Sequence, residues 1–150
     1  MGAPLTPWLE RRARGHPPVK ADPDILLATM AKADEKLAAA QRDMDAGFPG
    51  EAASHAYYSA FHAATAVLAS HGLSFSSHRE TIGAFVRTLV NTGAFPSGTT
   101  QKLQKLFDDR QIADYAIQRK IEAPAAAEDI AAAQAIVEAC RTIIDASIAQ

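Results

Sequence analysis

The run Asp108-Asp109-Arg110-Gln111-Ile112-Ala113-Asp114-Tyr115 places a guanidinium, carboxylates and a phenol inside one strongly helical segment. Arginine grips phosphate or carboxylate through a fork of N–H donors, and tyrosine can donate a hydrogen bond to the same ligand. Residues four apart share a helix face, so Arg110 and Asp114 either pair with each other or face a ligand together. A surface pair contributes only about 0–1 kcal/mol, so pairing alone is a weak use of both residues. Five residues turn a helix by about 140° net, which predicts that Tyr115 points well away from Arg110 within one subunit. Across a two-fold axis the two side chains could meet, because an isologous interface sets each helix against its copy.

The histidines offer less. His55 and His62 share one face of a helix, with Tyr58 between them. Seven residues span about 10.5 Å, too far for both to bind one metal ion. No His-Glu-x-x-His pattern is present, so each imidazole is expected to make a hydrogen bond inside a helical interface. His78 stands beside Arg79 at a loop–helix junction, where it serves either as a local turn contact or as a functional imidazole. The single Cys140 lies on an apolar stripe, excludes an intrachain disulfide and is expected to be inert. The serines fall in caps and loops without a nucleophile-elbow sequence. Lys102, Lys105, Arg110, Arg119 and Lys120 form a basic strip diluted by Asp108, Asp109 and Asp114. A solvated helix face explains that strip as well as a nucleic-acid footprint does.

Helices must carry these groups. The chain has 150 residues, 48% of them hydrophobic and only 7% aromatic. Alanine supplies much of the apolar fraction, so the expected core is built from closely approaching helices, and sparse β-branched residues argue against strands. The formal net charge of -2 supplies no global basic field for nucleic acid. No window approaches the ~20 apolar residues of a membrane span, and the N-terminus lacks the apolar core of a secretory signal. These features predict a soluble cytoplasmic protein with no membrane partner.

Residues 1–20 are read as a separate basic, Pro-containing tail, with Pro4, Pro7, Pro17 and Pro18 breaking any continuous helix. It is either a mobile terminus or a docking arm, with Trp8 and Leu9 as apolar anchors. Residues 21–150 form one helical domain. Asp22-Pro23 opens a first helix, with Ile25, Leu26, Met30, Ala33, Leu37, Ala40 and Met44 at helical spacing, ended by Gly47. A second runs from about Glu51 to Ser70, apolar on nearly all sides and therefore central, and stops at His71-Gly72. Ser77 with Glu80 has capping-box spacing for a third helix closed by Asn91-Thr92-Gly93. A fourth is predicted over Thr99 to Ile121, with Ala116 and Ile117 on its apolar stripe, and Pro124 opens a fifth that reaches about Ile148. Short connections make an all-α, up-and-down antiparallel bundle of four to five helices.

Several stretches together resemble one family. They are Ala53-Ser54-His55-Ala56-Tyr57-Tyr58-Ser59-Ala60-Phe61-His62, then Ser77-His78-Arg79, then Arg110-Gln111-Ile112-Ala113-Asp114-Tyr115. The chain resembles the HEPN domain family, and within it the small prokaryotic members, over about residues 25–148. The resemblance implies a helical bundle that commonly forms a homodimer. It also implies a small nucleotidyltransferase as partner in toxin–antitoxin-type modules, association with RNA, and in many members metal-independent RNase activity. No cofactor or metal is implied. The RNase signature is an Arg followed four to six residues later by a His, with two copies meeting across the dimer. Here Arg110 takes the Arg position, Gln111 the polar position beside it, and Tyr115 stands where the His would be. A His would act near neutral pH as a base for a 2′-hydroxyl, whereas a phenol with a reference pKa near ~10 is a hydrogen-bond donor. Arg110, Asp114 and Tyr115 are therefore the expected site residues, with His78 as a further imidazole if the fold brings it to Arg110. Two functions stay open. One is a toxin-like component that associates with RNA and cleaves it. The other is a non-catalytic helical module that binds a nucleotide or partner and acts through dimerisation.

Overall fold

A computed structural model describes residues 20–150. The expectations placed on the N-terminal tail, including the docking arm, lie outside the described residues. Five helices follow one another: α1 Pro23–Asp45, α2 Pro49–Ser70, α3 His78–Phe85, α4 Thr99–Tyr115 and α5 Ala123–Ile148. No strand occurs among the described residues. Nor is any described helix long and apolar enough to cross a membrane.

α2 is the axis of the bundle and touches α1, α3, α4 and α5. Its composition explains this. Ala52, Ala53, Ala56, Ala60, Ala63, Ala64 and Ala66 are all buried, and their short side chains let neighbouring backbones approach on several faces. The larger core groups are Tyr57 and Leu68 of α2 itself, with Leu26 and Met30 of α1, Leu103 and Leu106 of α4, and Ile136 and Ile144 of α5. Ser59 is buried among the alanines because its Oγ donates to the Ala33 carbonyl oxygen of α1 at 2.7 Å. α2 ends where Gly72 turns left-handed at φ 77, and Leu73 N donates back to the Leu68 oxygen at 3.0 Å.

α3 begins as its cap predicts, with Glu80 N donating to Ser77 Oγ at 3.1 Å. Ser77→Ala is expected to cost about 1 kcal/mol, read as a lower urea midpoint. Ser77→Gly should lose only a few tenths, and equal losses would mean that the cap carries no stability. Beyond Phe85 the helix widens into a π-helical stretch, Val86–Ala94, which closes on Gly93 at φ 85. Periodicity predicts a third helix here but not its wider turn. Thr88 Oγ1 donates to the Ala84 oxygen at 2.6 Å and Thr92 Oγ1 to the Leu89 oxygen at 2.8 Å. Such back-bonding competes with the regular ladder.

The fourth helix is shorter than expected. It stops at Tyr115, and Ala116 is already extended at ψ 134. Ala116 and Ile117 thus leave the predicted apolar stripe, and Ile117 is 95% exposed. The connection must turn back to seat Ile121, which is buried. Six more helical residues would instead carry the chain about 9 Å further along the axis. α5 then starts with a proline in its first turn.

Candidate functional site

Three helices bring polar side chains together at one place. Tyr57 and Tyr58 come from the middle of α2, His78 is the first residue of α3, and Arg110, Asp114 and Tyr115 occupy the last turns of α4. Arg110 is the hub. Its Nε donates to Asp114 Oδ2 at 3.0 Å, and NH2 donates to the Tyr58 hydroxyl oxygen at 2.9 Å. The guanidinium carbon lies 5.4 Å from the Tyr57 ring centre, 5.4 Å from Tyr58 and 5.5 Å from Tyr115. The sequence has 3 tyrosines, so all of them surround one guanidinium. Arginine over aromatic faces is favourable, more so where water is excluded, and the Arg110 side chain is only 12% exposed. Burial works against its charge, but the Tyr58 bond and the electron-rich groups around it outweigh that and raise its pKa.

The shared face of Arg110 and Asp114 is as the spacing predicts. The expected separation of Tyr115 from Arg110 within one subunit is corrected. Helical phase turns their Cβ atoms apart, yet the long arginine side chain reaches the ring of the last helical residue. Tyr115 itself is largely exposed.

His78 does reach this centre. Its Nδ1 lies 2.9 Å from the Tyr57 hydroxyl, and its ring stacks on Phe61 at 4.1 Å between centres. Tyr57 is buried, and burial pushes its pKa up to about 12 despite the opposing charge of Arg110. A phenol that keeps its proton can donate it, and we assign Tyr57 O–H as the donor to Nδ1. Nε2 then carries the imidazole proton. Burial, and secondarily the Arg110 charge, lower the His78 pKa. In its resting form His78 is therefore neutral, with Nδ1 engaged by Tyr57.

The remaining predicted residues separate by role. His55 makes the expected hydrogen bond, Nδ1 to Asp43 Oδ2 at 2.5 Å. His62 lines a groove with Lys32, Lys36 and His78. Cys140 is buried, and burial pushes its thiol pKa upward. The basic strip along the fourth helix is corrected. Arg119 and Lys120 lie beyond its end. Lys105 turns inward, where Nζ donates to Asp109 Oδ2 at 2.7 Å, Asp129 Oδ1 at 3.0 Å and the Ala125 oxygen at 3.1 Å. Among the described residues no group of three or more His, Cys, Asp or Glu could hold a metal ion.

Asp129 is what sequence reading misses. It is wholly buried. Burial, together with a bond to Asp109, pushes its pKa up to about 7, with Lys105 pulling the other way. Its Oδ2 has no partner while ionised, and one proton held between the two carboxyls satisfies it. One residue of the Asp108–Tyr115 run, Asp109, thus works in the α4–α5 interface, while Arg110, Asp114 and Tyr115 serve the aromatic centre. The aromatic shell around Arg110 also went unread. Its signal was Tyr57-Tyr58 standing in an otherwise alanine-rich helix.

This all-α bundle is that of the HEPN domain family. The HEPN domain model matches residues 27–145, and the chain belongs to that family. It is similar to a UPF0332 protein of Archaeoglobus fulgidus, 27% identical over 122 residues that cover 81% of this chain and 97% of that one. A UPF0332 protein of Thermotoga maritima is 29% identical over 89 residues, 59% of this chain and 67% of the relative.

Proposed function

We propose that this chain is an RNA-associating HEPN component of a toxin–antitoxin-type module, binding through the Arg110 centre without cleaving. The observation that carries the reading is the state of Arg110 and His78. Only two of the five N–H donors of the guanidinium are engaged, and the aromatic rings fix its plane, so the others can take a phosphate oxygen. The same packing ties His78 Nδ1 to Tyr57, and Tyr115 stands where the family's RNases carry His. Binding has its donors, whereas abstraction of a 2′-hydroxyl proton lacks its base. In this reading the chain forms a homodimer, with the exposed Tyr115 near the two-fold axis. A small nucleotidyltransferase is its partner.

Fluorescence anisotropy with a short single-stranded RNA tests the proposal. Arg110→Ala should weaken binding about tenfold, the cost of losing one charge-assisted contact. The RNA should be recovered intact from wild-type protein. Unchanged affinity in Arg110→Ala removes the binding assignment. Cleavage that disappears in His78→Ala replaces it with a catalytic one.

A further inference from the structure

The groove between α1 and α2 holds charge that the rest of the protein does not use. It encloses about 430 Å³ and is lined by Lys32, Glu35 and Lys36 of α1, His55 and His62 of α2, and His78 of α3, among others. Lys32 and Lys36 are four residues apart and share a face. Three cations elsewhere in the bundle are paired. Arg110 pairs with Asp114, Lys105 with Asp109 and Asp129, and Arg141 with Asp34. Among the described residues neither Lys32 nor Lys36 forms an ion pair, although Glu35 lies between them in sequence. Of the groove's imidazoles, His55 is already bound to Asp43. His62 is the imidazole left facing the lysines. Burial and then the charges of Lys32, Lys36 and His78 hold its pKa below the ordinary value.

The geometry points to a phosphate-binding subsite in this groove, formed by Lys32, Lys36 and His62, that takes the terminal phosphate of a soluble phosphomonoester. Two ammonium groups without ion-pair partners and an imidazole line one concavity, and an anion among them would offset their repulsion. A phosphomonoester carries close to two charges at neutral pH and offers three oxygens, one for each donor. Glu35 sets a limit on the same wall by opposing a second anionic group. The subsite does not include Arg110, so it can succeed or fail apart from the RNA reading. Because a bound phosphate favours the imidazolium of His62, the complex takes up a proton.

The experiment is an NMR pH titration of the His62 ring in the full chain, at constant ionic strength, with and without inorganic phosphate. Phosphate should raise the His62 midpoint by about 0.5 pH or more. The double variant Lys32→Ala/Lys36→Ala should lose that rise, and Arg110→Ala should keep it. A second arm uses adenosine 5′-monophosphate. Tighter binding than phosphate assigns the ligand to nucleotides, and equal binding assigns the phosphate group alone. The inference is overturned if about 10 mM phosphate leaves His62 unmoved. It is equally overturned if chloride reproduces the rise, or if the double variant retains it.

Discussion

Lys105→Met should lower the stability of the domain by about 3 kcal/mol at pH 8 and by clearly less at pH 5. Lys105 bridges α4 and α5 through Asp109, Asp129 and the Ala125 carbonyl. Its removal leaves the buried Asp129 carboxylate facing another carboxylate with no cation between them. Stranding one member of a buried charge network is the costly change, more so than deleting the whole network. The pH dependence follows from Asp129, whose pKa rises from 3.8 to about 7 on folding. Between those values the folded state binds the extra proton. This group's contribution therefore falls as pH climbs from about 4 through about 7. At pH 5 Asp129 carries its proton with or without Lys105, so little is lost, whereas at pH 8 the variant must either hold the bare carboxylate or take up a proton that the wild type does not need. Asp129→Asn should flatten the slope, since the amide donates to Asp109 and accepts from Lys105 without a titration. Urea unfolding at both pH values reads this out, and an equal loss for Lys105→Met at pH 5 and pH 8 would falsify the shared-proton account.

Tyr57→Ala should cost about 4 kcal/mol, the range for removing a buried aromatic ring. Tyr57 packs against Tyr58 at 5.2 Å, His78 at 5.9 Å and Phe107 at 6.0 Å between ring centres, and supports the Arg110 guanidinium. Alanine would leave a cavity where three helices meet. Tyr57→Phe keeps the ring and removes only the hydroxyl, for a loss of about 1 kcal/mol. Its more telling effect is on His78. A hydroxyl that donates to Nδ1 favours neutral imidazole, so removing it should raise the His78 midpoint in an NMR titration. A lowered midpoint would place the proton on Nδ1, free Nε2 to act as a base, and reopen RNA cleavage at this centre.

The helices were largely legible because the alanine spacing, Pro23, Gly72, Ser77 and Pro124 are local signals. The end of α4 was not. No breaker stands at Ala116, and the chain leaves the helix there to bring Ile121 into the core, a requirement set by tertiary packing. At the site, the Arg110–Asp114 pair follows from helix spacing alone. The approach of Tyr58 across 52 residues does not, and neither does the meeting of Lys105 with Asp129 across 24. Helical phase even misled for Tyr115, because it fixes where a Cβ points and not how far an arginine reaches. The inward turn of Lys105 likewise removed a charge from the apparent basic strip. A buried carboxylate on another helix decides that, and nothing in the local sequence marks Asp129 as buried partner rather than solvated acid.

The gathering of every tyrosine around one guanidinium gives the molecule an optical property. Trp8 is the 1 tryptophan in the sequence and belongs to the N-terminal tail. A Trp8→Phe protein would therefore emit in the near ultraviolet only from the ring cluster at Arg110. Its fluorescence would watch that centre alone, with no label attached, during ligand addition, subunit association or chemical modification of a phenol.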